Sequence, residues 1–395
     1  MPHLSIADSS RNTQVGLAPM EGVTCFATRL WFSVVSRPTF AMTPFLRVTR
    51  DYPWKRIPST YAAEIFDLKG IVSYSLIPQL MGNAPDDLER IAAPLLLATD
   101  FVDINCGCPS PKVVGSHAGS SLLENPDTFY EFTESLEQRL GEKRYSIKMR
   151  SGFHAHSEFS TLLAIVAQRK LAQLTLHPRT RAEKYKSYAR WELIAEASKV
   201  CLYPLVGSGD ILDLTTFKQF LSQCPQVSKL IIGRGALRNP WIFQELKTGK
   251  QIAVSFPTLS YALASYAIMQ DYQQKFPEKL LAAVKEGLFT ETCYNCSDSW
   301  EKFYTKLTFN YYGNYIAPNE IVVDKQSFAK VKMIWNSLRS GLGGSFMEPH
   351  LLRTQQFSDF YHQLQLLFCD LPKTVLLGYN QEYNWIYSGE KKDGK

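Results

Sequence analysis

The chain has 395 residues, of which 45% are hydrophobic and 20% charged, and its formal net charge at pH 7 is +6. This length suits one barrel-sized domain and a smaller one, and the mild positive charge permits nucleic-acid binding without requiring it. The apolar run at 91–98 is too short for a membrane span and the N-terminus lacks a secretory signal pattern, so we expect a cytoplasmic protein.

Short apolar runs alternate with amphipathic stretches through the first part of the chain. Eight of these runs are predicted strands, at 15–20, 39–43, 74–80, 101–105, 144–150, 171–177, 202–209 and 229–235. Helices are predicted between them, at 24–36, 86–98, 126–139, 157–170 and 190–199. Repeated strand–helix units favour an α/β fold with a parallel (β/α)8 TIM barrel, and an open doubly wound sheet is the alternative.

The pattern changes after about residue 250, where helices are predicted at 261–276 and 327–342. The spacing i, i+3, i+4, i+7 in the second helix predicts one buried face, formed by Val331, Ile334, Trp335 and Leu338. A second face carries Lys332, Asn336 and Arg339. We therefore expect three parts, a barrel domain at 1–250, a helical domain at 255–370 and a tail at 371–395. The aromatic-rich region 285–325 is left unassigned.

The sharpest chemical motif is the run from Asn105 to Pro109, NCGCP, directly after a predicted strand. The loops after the strands form the active site of such barrels, so we expect Cys108 at the barrel mouth. There a thiol can act as a nucleophile or a proton donor. We interpret Cys106 as a packing residue, because buried free cysteines are common. The small, Gly/Ser-rich segment 112–123 lets backbone approach a ligand closely, or is simply a flexible loop.

Two glycine turns follow the seventh and eighth predicted strands, at 207–210 and 233–235. Barrels often bind phosphate through backbone N–H groups of these two loops, and Arg234 adds a positive fork. Other predicted strand ends carry Pro19, Met20, Gln79, Lys148 and His177. A cation and an imidazole at the mouth suit a flavin, whose reduced ring is anionic. Taken singly, the lysine is equally well a solvated residue and the histidine a structural one.

Basic residues alternate with aromatic ones in two segments. Residues 177–190 include the basic side chains Arg179, Arg181 and Lys186 together with two tyrosines. Residues 46–56 include Arg47 together with a tyrosine and a tryptophan. Proteins grip RNA with cations on its backbone and aromatic rings stacked on its bases, so both segments are RNA-contact candidates. A solvated barrel rim is the alternative.

The eight cysteines are expected to be free thiols. The pair Cys293 and Cys296 forms a lone CxxC, and a zinc site needs more ligands than this. No metal is therefore predicted. The chain also lacks a Ser-His-Asp pattern, an HExxH motif and a GxGxxG fingerprint.

These motifs resemble those of the tRNA-dihydrouridine synthases and occur in the same order. The matching segments are LAPMEGV at 17–23, QLMG at 79–82, DINCGCPS at 103–110, KMR at 148–150, HPRT at 177–180 and IGRGA at 232–236. The resemblance covers residues 15–245 clearly and 255–370 loosely. The first segment and the second cysteine of NCGCPS are most similar to the bacterial C-type branch, which implies the uridine at position 16 of the tRNA D-loop.

The resemblance implies an FMN enzyme that uses NADPH to reduce a tRNA uridine to 5,6-dihydrouridine, with Cys108 as the general acid. It implies that Asn105 faces the site and that the FMN ring and ribityl chain are held by Pro19, Met20, Gln79, Lys148 and His177. The phosphate would be held by Ser208, Gly209, Gly233 and Arg234. Arg47 corresponds to an arginine that places the RNA, and the helical domain would clamp tRNA with Lys332, Asn336 and Arg339. We expect a monomer.

The sequence departs from the family pattern in three places. Ser208 stands where the family usually has Asn, Pro44 replaces an acidic residue of the C-type branch, and the chain is longer around 50–70 and 285–325. Two other functions remain open. One is an FMN barrel acting on a free pyrimidine or enoate, which turnover without RNA would reveal. The other is a tRNA-binding paralogue without catalysis, which a colourless, flavin-free protein would indicate.

Overall fold

The computed structural model describes residues 13–53, 55, 57–110, 115, 117–342, 346, 349–369 and 374–378. Its main sheet has ten strands: β1 (Gln14–Leu17), β2 (Phe40–Met42), β3 (Leu46–Arg47), β4 (Ser75–Ile77), β5 (Gln79–Met81), β6 (Val102–Cys106), β7 (Tyr145–Arg150), β8 (Leu174–His177), β9 (Leu205–Gly207) and β10 (Lys229–Ile232). All of their pairings are parallel. Each of the eight predicted strands overlaps at least one of them, and β3 lies outside all eight.

The sheet closes into a barrel because the predicted strand at 74–80 is split into β4 and β5, and because β2 is followed by β3, which lies outside the predicted run at 39–43. β4, before Pro78, pairs with β2, and β5, after it, pairs with β3 and β6. Proline has no N–H for the ladder, but the Pro78 carbonyl still accepts the Asp103 N–H at 2.8 Å. β6 to β10 then follow in order, and β1 joins β10 to β2. The predicted (β/α)8 barrel is confirmed and the open sheet is excluded.

Helices connect the strands in the order that the sequence predicts. They are α1 (Phe26–Val35), α2 (Pro85–Leu95), α3 (Pro126–Leu140), α4 (Phe159–Ala167), α5 (Trp191–Val200), α6 (Leu214–Gln223), α7 (Arg234–Arg238) and α8 (Ile242–Thr248). A π-helical segment, Pro58–Asp67, lies between β3 and β4. The start of α3 shows how local sequence sets a boundary: the Asn125 side chain accepts the N–H groups of Asp127 and Thr128 at 2.9 and 3.1 Å.

The second part of the chain is helical, as predicted. It contains α9 (Phe256–Lys275), α10 (Pro277–Lys285), α11 (Ser297–Tyr312), α12 (Lys325–Leu342), α13 (His350–Arg353) and α14 (Phe357–Cys369). The predicted apolar face of α12 is buried. A short antiparallel sheet pairs β11 (Ala253–Ser255) with β12 (Thr374–Leu376), so part of the predicted tail packs back on the chain. Residues 379–395 of that tail lie outside the described residues.

The helical region packs directly on the barrel, chiefly through α9 and α1. The Trp31 indole donates to the Ala262 carbonyl at 2.8 Å. The Thr28 and Tyr266 hydroxyls form a hydrogen bond of 3.1 Å. Buried side chains of both regions belong to one continuous apolar core. Since α1 follows the loop after β1, this packing fixes the helical region beside the barrel mouth. Within the described residues, no helix is long and apolar enough to span a membrane.

Candidate active site at the barrel mouth

A cavity at the carboxyl ends of the strands brings together most of the predicted cofactor residues. Those that line it are Pro19, Met20, Lys148, His177, Ser208, Gly209, Gly233 and Arg234. They lie on or directly after five different strands, and they meet because parallel strands end at the same edge of a barrel. A larger cavity, of about 420 Å³, opens at the opposite edge beside Tyr74 and Phe101. The amino-terminal edge of such barrels contributes to stability rather than chemistry, so the first cavity is the candidate site.

Two glycines leave room for a ligand against the backbone of this cavity. Gly209 has φ +98°, and a Cβ there would lie 2.8 Å from the Ala189 Cβ. A Cβ on Gly233 would lie 3.4 Å from the Met20 sulfur. A larger residue would be strained or crowded at the first position and would narrow the cavity at the second. The two turns can therefore present their backbone to a ligand such as a phosphate.

Four cationic side chains, Lys148, Arg150, Arg179 and Arg234, lie around His177, and two of them, Lys148 and Arg234, line the cavity. Asp210 forms ion pairs with two of them, with Arg179 at 2.5 Å and with Arg234 at 3.1 Å. Within the part of the chain that the structure describes, Lys148 and Arg150 form no direct ion pair with a carboxylate. The cavity therefore carries a net positive charge and favours an anionic ligand.

His177 lies among these cations. Burial, and then the charges of Arg150 and Lys148, hold the pKa of its imidazole well below the usual range, so the ring is neutral. Its Nδ1 atom is buried and has no hydrogen-bond partner among the described residues. Burial, and then Arg150, lower the pKa of Lys148 to about 8. A buried polar atom without a partner is rare and costly, so His177 fits a ligand that hydrogen-bonds it.

Cys108 follows β6 in a turn that two side chains hold in place. The Asn105 carbonyl oxygen Oδ1 accepts the N–H groups of Gly107 and Cys108 at 3.0 and 2.9 Å. The Cys108 carbonyl accepts the Ser120 hydroxyl at 2.7 Å. The Cys108 side chain is half-buried. Burial raises the pKa of its thiol, so the thiol keeps its proton at neutral pH, as a general acid must.

Gln79 and Asn105, which were also predicted to face a cofactor, lie next to this turn and do not line the cavity. Both are buried, and the Asn105 amide nitrogen donates to Gln79 Oε1 at 2.9 Å. Cys106 is fully buried in the main core, and burial raises the pKa of its thiol. This environment agrees with the interpretation of Cys106 as a packing residue. It also places the two cysteines of the motif in different surroundings.

Tyr185 lies over the cavity, although the sequence did not indicate it as a cofactor-site residue. It is a lining residue, and the Arg234 guanidinium carbon lies 4.4 Å from its ring centroid. The His177 ring meets it edge-on, with 6.1 Å between ring centroids. Its side chain remains 45% exposed. The one signal in the sequence was an aromatic residue within a basic loop, which indicates RNA contact as readily as a cavity wall.

The prediction that Arg179 contacts RNA is wrong. Its side chain is fully buried. Its Nε and Nη2 atoms donate to the Ser187 carbonyl at 2.8 and 2.7 Å, and Nη2 also donates to Asp210. A buried guanidinium is tolerated only when it is paired in this way. Arg179 therefore ties the loop at 177–190 to the turn after β9 and is not available to phosphates.

The other predicted RNA residues of the barrel remain accessible to different degrees. Arg47 and Lys186 are exposed, and so is Tyr188, at 45%. Arg181 is half-buried, with its guanidinium carbon 5.0 Å from the Phe153 ring centroid. Arg47 ends β3, and Lys186 and the exposed tyrosines belong to the loop at 177–190 after β8. The structure therefore leaves a basic, aromatic rim beside the candidate site.

In the helical region, Lys332 and Arg339 both lie on α12 and are half-buried. The Lys332 ammonium lies 4.9 Å from the Phe328 ring centroid and donates to the Thr354 carbonyl at 3.2 Å. Arg339 donates to the Asn336 side chain at 2.9 Å. The three polar residues of this face thus already take part in intramolecular contacts. Any contact with RNA uses their remaining donors.

Within the described residues, no group of three or more His, Cys, Asp or Glu side chains could hold a metal ion. Cys293 is buried and Cys296 is exposed, and both are free thiols. Burial, and then Glu291, raise the pKa of the Cys293 thiol to about 12, so it stays protonated. These two cysteines therefore do not form a pair of thiolate ligands.

A (β/α)8 barrel with a positively charged cavity at its carboxyl edge, and a half-buried thiol beside it, belongs to the cofactor-binding barrel enzymes. The family model described as Dihydrouridine synthase (Dus) matches residues 16–286. Because this match covers more than half of the sequence, the chain belongs to the dihydrouridine synthase family.

Three relatives illustrate the likeness. The tRNA-dihydrouridine(16) synthase of Haemophilus ducreyi is 29% identical over 243 residues, 59% of this chain and 73% of that protein. A probable tRNA-dihydrouridine synthase of Aquifex aeolicus is 29% identical over 217 residues, which are 53% of this chain and 67% of that protein. A tRNA-dihydrouridine(47) synthase [NAD(P)(+)]-like protein of Arabidopsis thaliana is 33% identical over 174 residues, 43% of this chain. The match spans only 25% of that plant protein.

Proposed function

We propose that this protein uses NADPH and bound FMN to reduce a D-loop uridine of tRNA to 5,6-dihydrouridine. The observation that carries the proposal is the cavity at the barrel mouth. There a neutral His177 with an unpartnered Nδ1 stands among cations, beside a Cys108 thiol that keeps its proton. Position 16 is proposed for the uridine because the Haemophilus relative is named for it and the C-type motifs agree.

The residues present fit FMN. The turns of Gly209 and Gly233, with Ser208 and Arg234, would hold the phosphate, since their backbone is open and their surroundings are positive. The ring would lie against Pro19, Met20, Lys148 and His177. When bound, FMN supplies the hydride that the C6 atom of uracil accepts. Lys148 and its neighbours stabilise negative charge in the cavity, because burial makes each fixed charge more effective.

Cys108 would give its proton to uracil C5. The raised pKa of the thiol keeps this proton in place until the base arrives. A uridine within folded tRNA must be turned out of its stack to reach the barrel mouth. Exposed Tyr185 and Tyr188 can stack on bases, and exposed Arg47 and Lys186 can contact phosphates. The helical region would hold the tRNA through the remaining donors of Lys332 and Arg339.

The direct test uses tRNA from cells that lack dihydrouridine. The purified protein is expected to carry non-covalent FMN and to form dihydrouridine in this tRNA with NADPH, detected by nucleoside mass spectrometry and mapped by primer extension. Dihydrouridine at position 47, for which the Arabidopsis relative is named, would overturn the proposed position. Reduction of free uracil or oxidation of dihydroorotate without RNA would favour the free-pyrimidine enzyme. Tight tRNA binding without flavin would favour a non-catalytic paralogue.

Arg234→Ala is expected to weaken FMN retention. A charge-assisted hydrogen bond to phosphate contributes about 1.5–3 kcal/mol, so the Kd of FMN should rise roughly 10- to 100-fold. Asp210 keeps Arg179 as its partner in the variant, so the turn should stay folded. Flavin fluorescence during titration of the apo-protein measures the change. Lys218→Ala, an exposed charge on α6, is the matched control. If both variants bind FMN like the wild type, the phosphate site is misplaced.

Lys184→Gln together with Lys186→Gln is expected to weaken tRNA binding and to flatten its salt dependence. Both lysines are exposed in the loop at 177–190. Each lost phosphate contact lowers the slope of log K against log salt by about 0.7–0.9. Binding is measured by filter retention at several salt concentrations, with FMN content as a check on folding. Lys199→Gln with Lys218→Gln removes the same charge from the outer helices. Equal slopes in the two double variants would show that the loop is only a solvated rim.

A further inference from the structure

A continuous hydrogen-bond chain runs through the inside of the barrel to the turn that carries the thiol. The Ser146 hydroxyl donates to Asp103 Oδ1 at 2.6 Å, and the Gln79 amide nitrogen donates to Asp103 Oδ2 at 2.7 Å. Gln79 Oε1 accepts from the Asn105 amide nitrogen at 2.9 Å. Asn105 Oδ1 then accepts the backbone N–H groups of residues 107 and 108. Four side chains thus connect three neighbouring strands, β5, β6 and β7.

The donors and acceptors of this hydrogen-bond chain can be arranged in only one direction. An ionised carboxylate only accepts hydrogen bonds, and a backbone N–H only donates them. With the Asp103 carboxylate at one end and the N–H groups at the other, each amide between them has one orientation that satisfies every contact. Rotating either amide by half a turn would set donor against donor or acceptor against acceptor. The orientations of Gln79 and Asn105 are therefore coupled.

The coupling between the two amide orientations is strong because the hydrogen-bonded side chains are buried. The four side chains Gln79, Asp103, Asn105 and Ser146 are at most 5% exposed. Water is therefore not at hand to satisfy a misplaced amide, and a buried polar group without a partner is destabilising. Burial raises the pKa of Asp103 to about 6, which still leaves the carboxylate mostly ionised at neutral pH. The barrel strands on which the four residues lie hold them in register.

We propose that Asp103 is a positioning residue for the reaction: its carboxylate sets the orientation of the Gln79 and Asn105 amides and thereby holds the turn of Cys108. Asp103 does not touch the reacting atoms and acts only through the two amides. The role of the held thiol rests on the proposed function, whereas the coupling itself belongs to the protein alone. An ordinary buried polar cluster would stabilise the barrel without controlling the turn.

The test uses substitutions that place a carboxylate at other positions of the hydrogen-bond chain. In Gln79→Glu two carboxylates face each other, and in Asn105→Asp the Gln79 amide must turn its oxygen towards Asp103. Both single variants should loosen the turn. Adding Asp103→Asn supplies an amide donor to the oxygen that residue 79 turns towards position 103, so Asp103→Asn/Gln79→Glu and Asp103→Asn/Asn105→Asp should restore the turn. Ser146→Ala removes one donor to Asp103 but leaves both amides with their partners, so it serves as the control.

The readout is the rate at which iodoacetamide alkylates Cys108 in the apo-protein, followed by peptide mass spectrometry across a range of pH. A loosened turn exposes the thiol and lets its pKa fall towards the ordinary value, so each single variant should react about tenfold faster or more. Each double variant and the Ser146→Ala control should lie within about threefold of the wild type. Thermal unfolding is recorded in parallel, and a double variant that folds where its single variant does not also supports the coupling.

Failure to restore the wild-type rate in both double variants would overturn the proposal, and so would wild-type rates in both single variants. These outcomes are independent of the proposed function, because the apo-protein is tested without flavin or tRNA. A wild-type protein that binds no FMN and forms no dihydrouridine would overturn the proposed function and leave the alkylation result intact. Where the wild type is active, the variants with fast Cys108 alkylation should form dihydrouridine slowly, and the restored double variants should form it at close to the wild-type rate.

Discussion

Replacing Cys108 with alanine is expected to reduce dihydrouridine formation by about 10²–10⁴-fold, the usual contribution of a general acid. Reduction of the uracil double bond needs a proton at C5 as well as hydride at C6, and without the thiol this proton must come from water. FMN binding and NADPH oxidation should remain, since the cavity wall is formed by other residues. Single-turnover measurements with tRNA, followed by nucleoside mass spectrometry, give the rate of the step directly.

Cys106→Ala is the matched control, because it removes the other thiol of the same motif. Cys106 is fully buried and is a member of the main core, so its loss should cost some stability and leave the chemical step within a few-fold. Cys108→Ser adds a second check, since a hydroxyl keeps the shape but is a weaker acid. Equal and mild effects of Cys106→Ala and Cys108→Ala would rule out Cys108 as the acid.

The barrel could be predicted because its strands are buried on both faces and therefore read as apolar runs between turns. β10 lies within the predicted run at 229–235, and β7 lies within 144–150. The exchange of partners at Pro78 could not be predicted. It depends on which strands stand on either side of β4 and β5, and this is decided by residues far away in the sequence.

The unassigned region 285–325 contains α11, and in this case a signal was present. Its buried residues Trp300, Phe303, Tyr304 and Leu307 have the same i, i+3, i+4, i+7 spacing that predicted α12. α6 was missed in the same way, although Asp213 caps it by accepting the Thr216 N–H at 2.7 Å.

Site residues could be predicted where they belong to a motif at a strand end. They could not be predicted where a contact with a residue far away in the sequence determines what the side chain does. His177 and Lys148 were predicted from their positions at strand ends, and both line the cavity. Arg179 was misjudged because its burial depends on Asp210, which comes from a different loop. Tyr185 was not recognised as a cavity residue, because only the fold shows that its ring lies against the Arg234 guanidinium. Long-range pairs of this kind leave no local pattern in a single sequence.

The ion pair of Arg29 and Glu64 is another such long-range contact, and it gives the largest expected effect on stability. Arg29 on α1 and Glu64 on Pro58–Asp67 form a bidentate pair, with Nε donating to Oε1 at 2.8 Å, and both are almost fully buried. Arg29 also donates to the Thr24 carbonyl at 2.5 Å, in the loop after β1. Burial opposes the charge on Arg29, yet Glu64 raises the pKa of the guanidinium. The pair thus joins the loop that carries Met20 to the segment before β4.

Glu64→Gln is expected to lower the free energy of unfolding by about 3–5 kcal/mol, because it leaves the buried Arg29 charge without a counter-charge. Arg29→Met/Glu64→Gln should recover most of this loss, since no charge then remains buried and the amide oxygen can still accept from the Tyr74 hydroxyl. Urea unfolding followed by tryptophan fluorescence measures the three proteins. Lys285→Met/Asp67→Asn, which removes an exposed ion pair nearby, should change stability by less than about 1 kcal/mol. A double variant at 29 and 64 that is no more stable than Glu64→Gln would mean that the Arg29 charge is satisfied by its carbonyl contact alone.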